Sequence, residues 1–598
     1  MIRIYSCVLV FVALLFSSCE KVMDKTNLSN ITSDKVLNDI NLARANLNRI
    51  YVIANPTWQW GQGGSSDEAA FGNTGLMYGR LLDFSQTQYT SLYTQIREIN
   101  VFLDGLKAGS LPKADTDPMR GQALFFRAHL YWQLVTIYGG VPLVLSDQQL
   151  SSEYNLPRNS TTETVAQIIK DLDEAATLLP NNYSGEDFGR IYKGLAMAYK
   201  GRILLHYASE QFDPNQSRNR WQAAYDALVA AKTSLDGIGK GLHTNFEQLF
   251  FDDNSTNREI IWVRLFNSDV SHLRDAQVRP CVISGVCGGR TDNPTRELVD
   301  AFPMLDGKKI NTSSNYAYDP VVFWRDRDPR LAATVAWNGA NYPIRDVSPF
   351  KTSPQHWTFQ DHIGTPDANI TVSSMHCRKA VRTDYDIAQA RVSTVPWIEM
   401  RYAELLLNLA EAANEVGRGS EALNHLFSIR QRAGIDNKDG RYGLDAGIES
   451  NKSAMREAIL NERMIELAFE NKRVVDFRRR RLYARLNGKE RTGFFITRTA
   501  AFNGLVTANN EILADRIELE RRVQDGRINL NDPVQYSTYF KVDPISVEEG
   551  AGRPGQTGVK INYQDKYYFF DIPQAVMARN PKLKQTNGWP GGGFDPLQ

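Results

Sequence analysis

The sequence predicts a mostly α fold, a tetratricopeptide-like helical-hairpin bundle with an inserted irregular, loop-rich region. Three observations predict it. Apolar residues recur at spacings of three and four through 34–52, 88–108, 119–138, 162–179, 189–208, 219–235, 398–416, 420–433 and 453–481. Small residues stand where neighbouring helices would approach closely, as with Ala196, Ala198 and Gly201 facing Ala223, Ala224 and Ala227. Between the periodic stretches, 240–395 and 485–570 are rich in Gly, Pro, Asn, Asp and aromatic residues with few helical periods. The expected organisation is a signal over 1–18, a tether over 19–33 and one domain over 34–598. Within that domain 34–239 and 396–484 supply the bundle, and 240–395 and 485–598 supply the irregular region. Because the irregular stretches are inserted between helical pairs, the two form one unit.

Each element has a local reason. In 398–416, Tyr402, Leu405, Leu406, Leu409, Ala412 and Ala413 share one helical face, and Gly417 and Gly434 stand where helices stop. Trp132, Trp221 and Trp397 lie on apolar stripes and read as core, whereas Arg478–Arg481 reads as a solvated helix end. The first residues carry one basic side chain, Arg3, an apolar run from Cys7 to Phe16, and then Ser17 and Ser18. This is a secretory signal rather than a membrane span. Cys19 follows directly, so Leu15-Phe16-Ser17-Ser18-Cys19 looks like a lipoprotein box, with the Cys19 thiol as the lipidated group. Two or more acyl chains anchor a protein stably where one does not.

Composition excludes several functions. With 69 Lys+Arg against 68 Asp+Glu, the surface charge is balanced, which argues against nucleic acid or an anionic membrane as the main ligand. Besides Cys7 and Cys19 there are three cysteines, Cys281, Cys287 and Cys377. Cys281 and Cys287 are spaced to close a small disulfide loop in an oxidising compartment, a pairing that spacing leaves open. Nothing suits structural zinc. Gly285-Val-Cys287-Gly-Gly289 mimics a nucleophile elbow but lacks the flanking strand and helix. Gly550-Ala-Gly552-Arg-Pro554-Gly555 lacks the helix start that a pyrophosphate needs. No cofactor is expected, apart from a structural calcium among Asp436, Asn437, Asp439 and Asp445, whose spacing is not that of an EF-hand. The protein therefore reads as a binder, not an enzyme.

Binding signals are stronger, because flat rings beside amide and charged donors suit the apolar face and hydroxyls of sugar rings. One cluster is Trp58 and Trp60 in the Gly-rich loop 57–68, with Asn73, Tyr78 and Arg80. The other is Tyr316, Tyr318, Phe323, Trp324, Trp337, Asn338 and Trp357. For each ring, packing of the irregular region onto the bundle is the competing reading.

The wording of several segments goes beyond periodicity. Arg401-Tyr402-Ala403-Glu404, Glu411-Ala412, Arg430-x-Arg432-Ala433-Gly434 and Glu462-Arg463…Glu466-Leu467-x-Phe469-Glu470…Arg473…Asp476 resemble the C-terminal signature of the SusD/RagB family of surface nutrient-binding lipoproteins. Gly121…Arg127-Ala128…Tyr131-Trp132…Tyr138-Gly139-Gly140-Val141-Pro142, Pro157-Arg158…Leu179-Pro180, Arg327-Asp328-Pro329-Arg330-Leu331 and Ile572-Pro573…Asn580-Pro581…Asn587-Gly588 resemble its other blocks, in the same order. The resemblance implies an outer-membrane lipoprotein lipidated on Cys19 and exposed at the cell surface. It implies ligand contacts from the loop after the first helix and from the middle irregular region, where the two aromatic clusters fall. It further implies delivery of an oligosaccharide to a TonB-dependent transporter of the SusC kind. The alternatives are a peptide ligand, as in the RagB branch, or a surface glycan-degrading enzyme.

Overall fold

The computed structural model describes residues 38–59, 61–70, 74–83, 86–148, 155–279, 291–342, 356–357, 372–503, 505 and 512–598. Cys19, Trp60, Asn73, Cys281 and Cys287, and the side chain of Trp357, lie outside them. Helices of seven residues or more are α1 (Ile40–Ala54), α2 (Gln86–Ala108), α3 (Lys113–Tyr138), α4 (Thr161–Leu178), α5 (Lys193–Tyr207) and α6 (Arg218–Asp236) in the first half. The second half carries α7 (Tyr402–Glu415), α8 (Gly419–Ala433), α9 (Lys452–Glu466), α10 (Lys472–Arg479), α11 (Ile512–Gln524) and α12 (Pro533–Tyr539). Strands of five residues or more are β1 (Ile260–Arg264), β2 (Trp397–Arg401), β3 (Thr492–Arg498) and β4 (Phe540–Ser546). β1 pairs antiparallel with β2, and β3 with β4.

Local chemistry starts and stops these helices. Ser160 and Glu163 form a reciprocal capping box at α4, and the Asn451 side chain caps α9 by accepting from the Ala454 N–H. Gly434 takes the left-handed conformation, φ 81°, that ends α8. Helices α2 to α6 pack each on the next, α6 packs on α7, and α7 on α8 and α9. At the α5–α6 crossing a Cβ on Gly201 would lie 2.6 Å from Leu228 Cδ2, so only glycine permits this approach. Of the small residues expected opposite it, Ala224 is buried but Ala223 is exposed; the buried face of α6 runs instead through Trp221, Ala224, Tyr225 and Leu228.

Two expectations from periodicity fail for physical reasons. The stretch 398–416 opens as β2, and its helix begins only at Tyr402. The stretch 453–481 is two helices, broken where Phe469 and Asn471 take positive φ of 58° and 60°. The break turns Glu466 and Glu470 into a buried charge network. There Arg330, Lys379, Arg401, Arg430 and Arg432 face Glu259, Asp328, Glu462, Glu466 and Glu470. Five cations balance five carboxylates, as burial of charge requires. Burial pushes the Glu466 carboxyl upward, but Arg432, Arg401 and Arg330 outweigh it and hold it far below the ordinary range. A second network corrects the reading of 478–481. Arg479 and Arg480 are 1% and 5% exposed and pair with Glu411, Glu415 and Asp476, so the middle of this run is internal.

Among the described residues most buried apolar side chains fall into three clusters. The largest runs through the first-half helices, α7 and α8 and the C-terminal stretch 561–589. A second joins 298–381 to β3, α12 and β4, and a small third surrounds Trp58 and Trp397. The segment 485–598 is less irregular than its composition suggests, since it holds α11, α12, β3 and β4. Among the described residues no helix is long and apolar enough to cross a membrane.

Candidate functional site

Trp324 and Trp337 form the one stacked pair of tryptophans among the described residues. Their ring centroids are 5.3 Å apart and their planes differ by 12°. Trp324 follows buried Phe323, which stacks on Phe494 of β3 at 4.9 Å and fixes the base of the pair. Trp337 follows the buried residues Val335 and Ala336, which pair with His376 and Cys377. Both tryptophans are half-buried against the second core cluster, with Tyr536 of α12 edge-on to Trp324 at 5.2 Å.

Polar groups surround the rings. Trp324 Nε1 donates to Asn531 Oδ1 (2.8 Å), and Asn338 Nδ2 donates to the Tyr536 hydroxyl (2.8 Å). Arg325 Nη1 donates to the Asn531 carbonyl (3.3 Å). Asn531 and Tyr536, which tie the rings to the 485–598 segment, were missed from sequence. They stand about 200 residues away, with separations of 207 and 198, and only the turn-like Asn529-Leu-Asn531-Asp-Pro533 marks the place.

Of the sequence candidates with described side chains, Trp58, Tyr78, Arg80 and Tyr316 have their contacts elsewhere. Trp58 is 6% exposed, donates from Nε1 to the Val395 carbonyl (3.1 Å), packs on Trp397 at 4.8 Å and lies under the Arg274 guanidinium at 4.2 Å. It is a core ring, and its reading as an exposed sugar platform is corrected. Gly63, Gly64, Ser65, Ser66 and Glu68 beside it are buried as well. A Cβ at Gly63 would lie 2.7 Å from Glu68 Oε1, and Arg491 Nη1 donates to the carbonyls of Gly64, Ser66 and Ala69 at 2.6–2.9 Å. The loop is Gly-rich because it folds tightly around a clamping arginine. Burial pushes the Glu68 carboxyl up to about 8, despite Lys379 and Arg473 nearby.

Tyr78 is likewise buried, 7% exposed, with its hydroxyl donating to Glu548 Oε2 (2.8 Å); burial pushes it up to about 12. Its side chain is structural, which corrects its reading as a ligand contact. Arg80 is half exposed and forks onto Glu549 at 2.9 and 3.0 Å. Tyr316 stands apart from the tryptophans, donating to Asp436 Oδ2 (3.3 Å) beneath the Lys438 ammonium. Asp436 pairs with Lys438, and Asp439 pairs with Lys308 (3.2 Å each). Among the described residues no three His, Cys, Asp or Glu side chains converge as metal ligands. The Trp357 backbone pairs with Asn341.

Known proteins share this architecture. A family model described as the SusD family matches residues 258–589, and one described as "Starch-binding associating with outer membrane" matches 77–205. The chain belongs to the SusD family. Among curated relatives, SusD-like protein P2 of Formosa agariphila is 26% identical over 368 residues, 60% of this chain and 65% of that protein. SusD-like protein P38 of the same organism is 23% identical over 482 residues, 76% of this chain and 87% of that protein. The alignment thus spans just under two thirds of P2's length. Among solved structures, a SusD-like protein from Bacteroides fragilis superposes with TM-score 0.71 at 22% identity, covering 94% of this chain and all of that one. A laminarin-binding SusD-like protein superposes at 0.56 with 16% identity, covering 92% of this chain and all of that one.

Proposed function

We propose that this protein is a lipid-anchored, cell-surface binding protein that captures an oligosaccharide at Trp324 and Trp337 and passes it to a SusC-like TonB-dependent outer-membrane transporter. The stacked pair carries the reading. Trp58, Trp132, Trp221, Trp262, Trp397 and Trp589 are all buried, so among tryptophans with described side chains solvent reaches mainly these two. Stacked indoles offer a broad flat face for the apolar side of a pyranose, and the amides of Asn531 and Asn338 lie beside it. The Asn531 Nδ2 protons have no partner among the described residues and are available for sugar hydroxyls. Family membership supports the class, as do the laminarin-binding neighbour and the starch-binding, outer-membrane description of the second family model. Cys19 is the proposed anchor. Tethering beside a transporter raises effective concentration, so modest affinity suffices. No bond is made or broken.

A glycan array followed by calorimetry on the protein without residues 1–19 tests the site. Binding of at least one oligosaccharide, weakened by on the order of 1–3 kcal/mol in Trp337→Ala, is the expected result. Binding of peptides but no glycans favours the peptide reading instead. Shortened products in the ligand mixture would mark an enzyme.

A further inference from the structure

At one edge of the tryptophan pair, two polar side chains are held with donors to spare. The Trp324 indole nitrogen only donates, so the Asn531 atom that meets it at 2.8 Å is the amide oxygen. That contact fixes which end of the Asn531 amide is spent and leaves its NH2 group free. Asn531 is anchored at two further points. Its backbone N–H donates to Asn529 Oδ1 (3.0 Å), and its carbonyl accepts from Arg325 Nη1 (3.3 Å). Arg325 follows Trp324 in the chain, so indole, guanidinium and amide all meet at one residue.

The neighbouring carboxylates leave this edge open. Asp326 Oδ2 stands 3.6 Å from Arg325 Nε, beyond hydrogen-bond distance, and with side chains 34% and 44% exposed such a pair is weak. Asp532 spends its Oδ1 on the first N–H groups of α12, those of Val534 and Gln535 (2.9 Å each). The Nη2 protons of Arg325 and the Nδ2 protons of Asn531 have no partner among the described residues. A donor-only edge beside an aromatic face suits a substituent that only accepts. A hydroxyl placed there would leave its own proton to water. A carboxylate accepts on both oxygens and matches the planar fork of a guanidinium.

We propose that the tryptophan site selects acidic sugars, taking a uronate whose ring lies on the Trp324–Trp337 pair and whose carboxylate is held by Arg325 and Asn531. This rests on the oligosaccharide reading of the pair and adds the charge of the ligand.

The probes are trisaccharides of glucuronate, galacturonate and mannuronate, each matched with its carboxyl-reduced neutral counterpart, titrated by calorimetry into the full chain in detergent. At least one uronate should bind on the order of tenfold tighter than its counterpart. Arg325→Met should erase that preference and leave the neutral sugar's affinity unchanged. Asn531→Asp keeps an oxygen for the indole N–H but replaces the donor with negative charge. It should weaken the uronate on the order of tenfold while near-ultraviolet circular dichroism of the stacked indoles stays as in the parent; a purely structural Asn531 would show no such loss. If Arg325→Met does not fold, as melting temperature reports, Arg325→Gln replaces it. The acidic selection is overturned if no uronate is preferred over its counterpart, or if the preference survives the loss of Arg325. Trp337→Ala tests the site separately. Weaker binding of both members of a pair keeps the sugar on the tryptophans, whereas unchanged binding of both places it elsewhere and overturns site and selection together.

Discussion

Trp58 and Trp337 look alike in sequence, each an aromatic residue in a stretch no helix claims, and the structure gives them opposite roles. Trp58→Ala removes a ring enclosed by Trp397, Arg274 and Val395, so unfolding free energy should fall by about 3–5 kcal/mol. Trp337→Ala removes a half-buried ring and should cost clearly less, which denaturant titration of both variants checks. Nothing within 57–68 distinguishes these cases, because the groups that enclose Trp58 come from residues 274 and 395–397. Glu68 makes a sharper prediction. Its folded value near 8 lies above the ordinary one of 4.5, so the protonated form fits the fold and stability is lost progressively as pH rises from about 4.5 through 8. Glu68→Gln should remove that part of the decline, so parent and variant should diverge in melting temperature between pH 5 and 9. Parallel curves would refute a buried, protonated Glu68.

Helices were the most legible level, since nine periodic stretches located most long helices to within a few residues. The failures sit where tertiary charge overrides local pattern. Lys472-Arg-Val-Val-Asp-Phe-Arg-Arg479 continues the helical wording of α9, yet the chain breaks at 467–471 to aim Glu466 and Glu470 at Arg401 and Arg330. Likewise Arg479 and Arg480 read as solvated because their partners, Glu411 and Glu415, are more than sixty residues earlier. Much of the family wording in 401–476 thus encodes a buried ion network rather than ligand contacts. Removing one partner from such a network leaves a buried charge unmatched, so Glu466→Gln should cost about 3–5 kcal/mol, measurable by urea unfolding. Acid should act on the same part of the molecule. Burial pushes the Glu399 carboxyl up, but Lys472 and Arg202 together bring it down to about 2. A depressed carboxyl contributes stability above about pH 4.5 and loses it as pH falls toward 2. Glu399→Gln should therefore be less stable than the parent at pH 7, with the gap closing toward pH 2.

At the scale of the whole chain, the order of packing followed the sequence through α2 to α7, which is why a hairpin bundle was readable at all. The candidate site was half readable. Trp324 and Trp337 stood out as aromatic residues in an irregular region, but Asn531 and Tyr536 reach them from a segment whose own helices composition concealed. Long-range closure of this kind recurs at Arg491, which holds the carbonyls of Gly64, Ser66 and Ala69 and pairs with Glu548. Arg491→Met should release the 61–70 loop, seen as faster proteolysis there and a lower melting temperature. The clamp also sets a clock on biosynthesis. Arg491 follows Ser66 by 425 positions, and at ~5–20 residues per second a ribosome needs tens of seconds to bridge that gap. Throughout that interval the nascent chain carries a glycine-rich stretch, acidic at Asp67 and Glu68, with no anchor and exposed to whatever chaperone or protease meets it first.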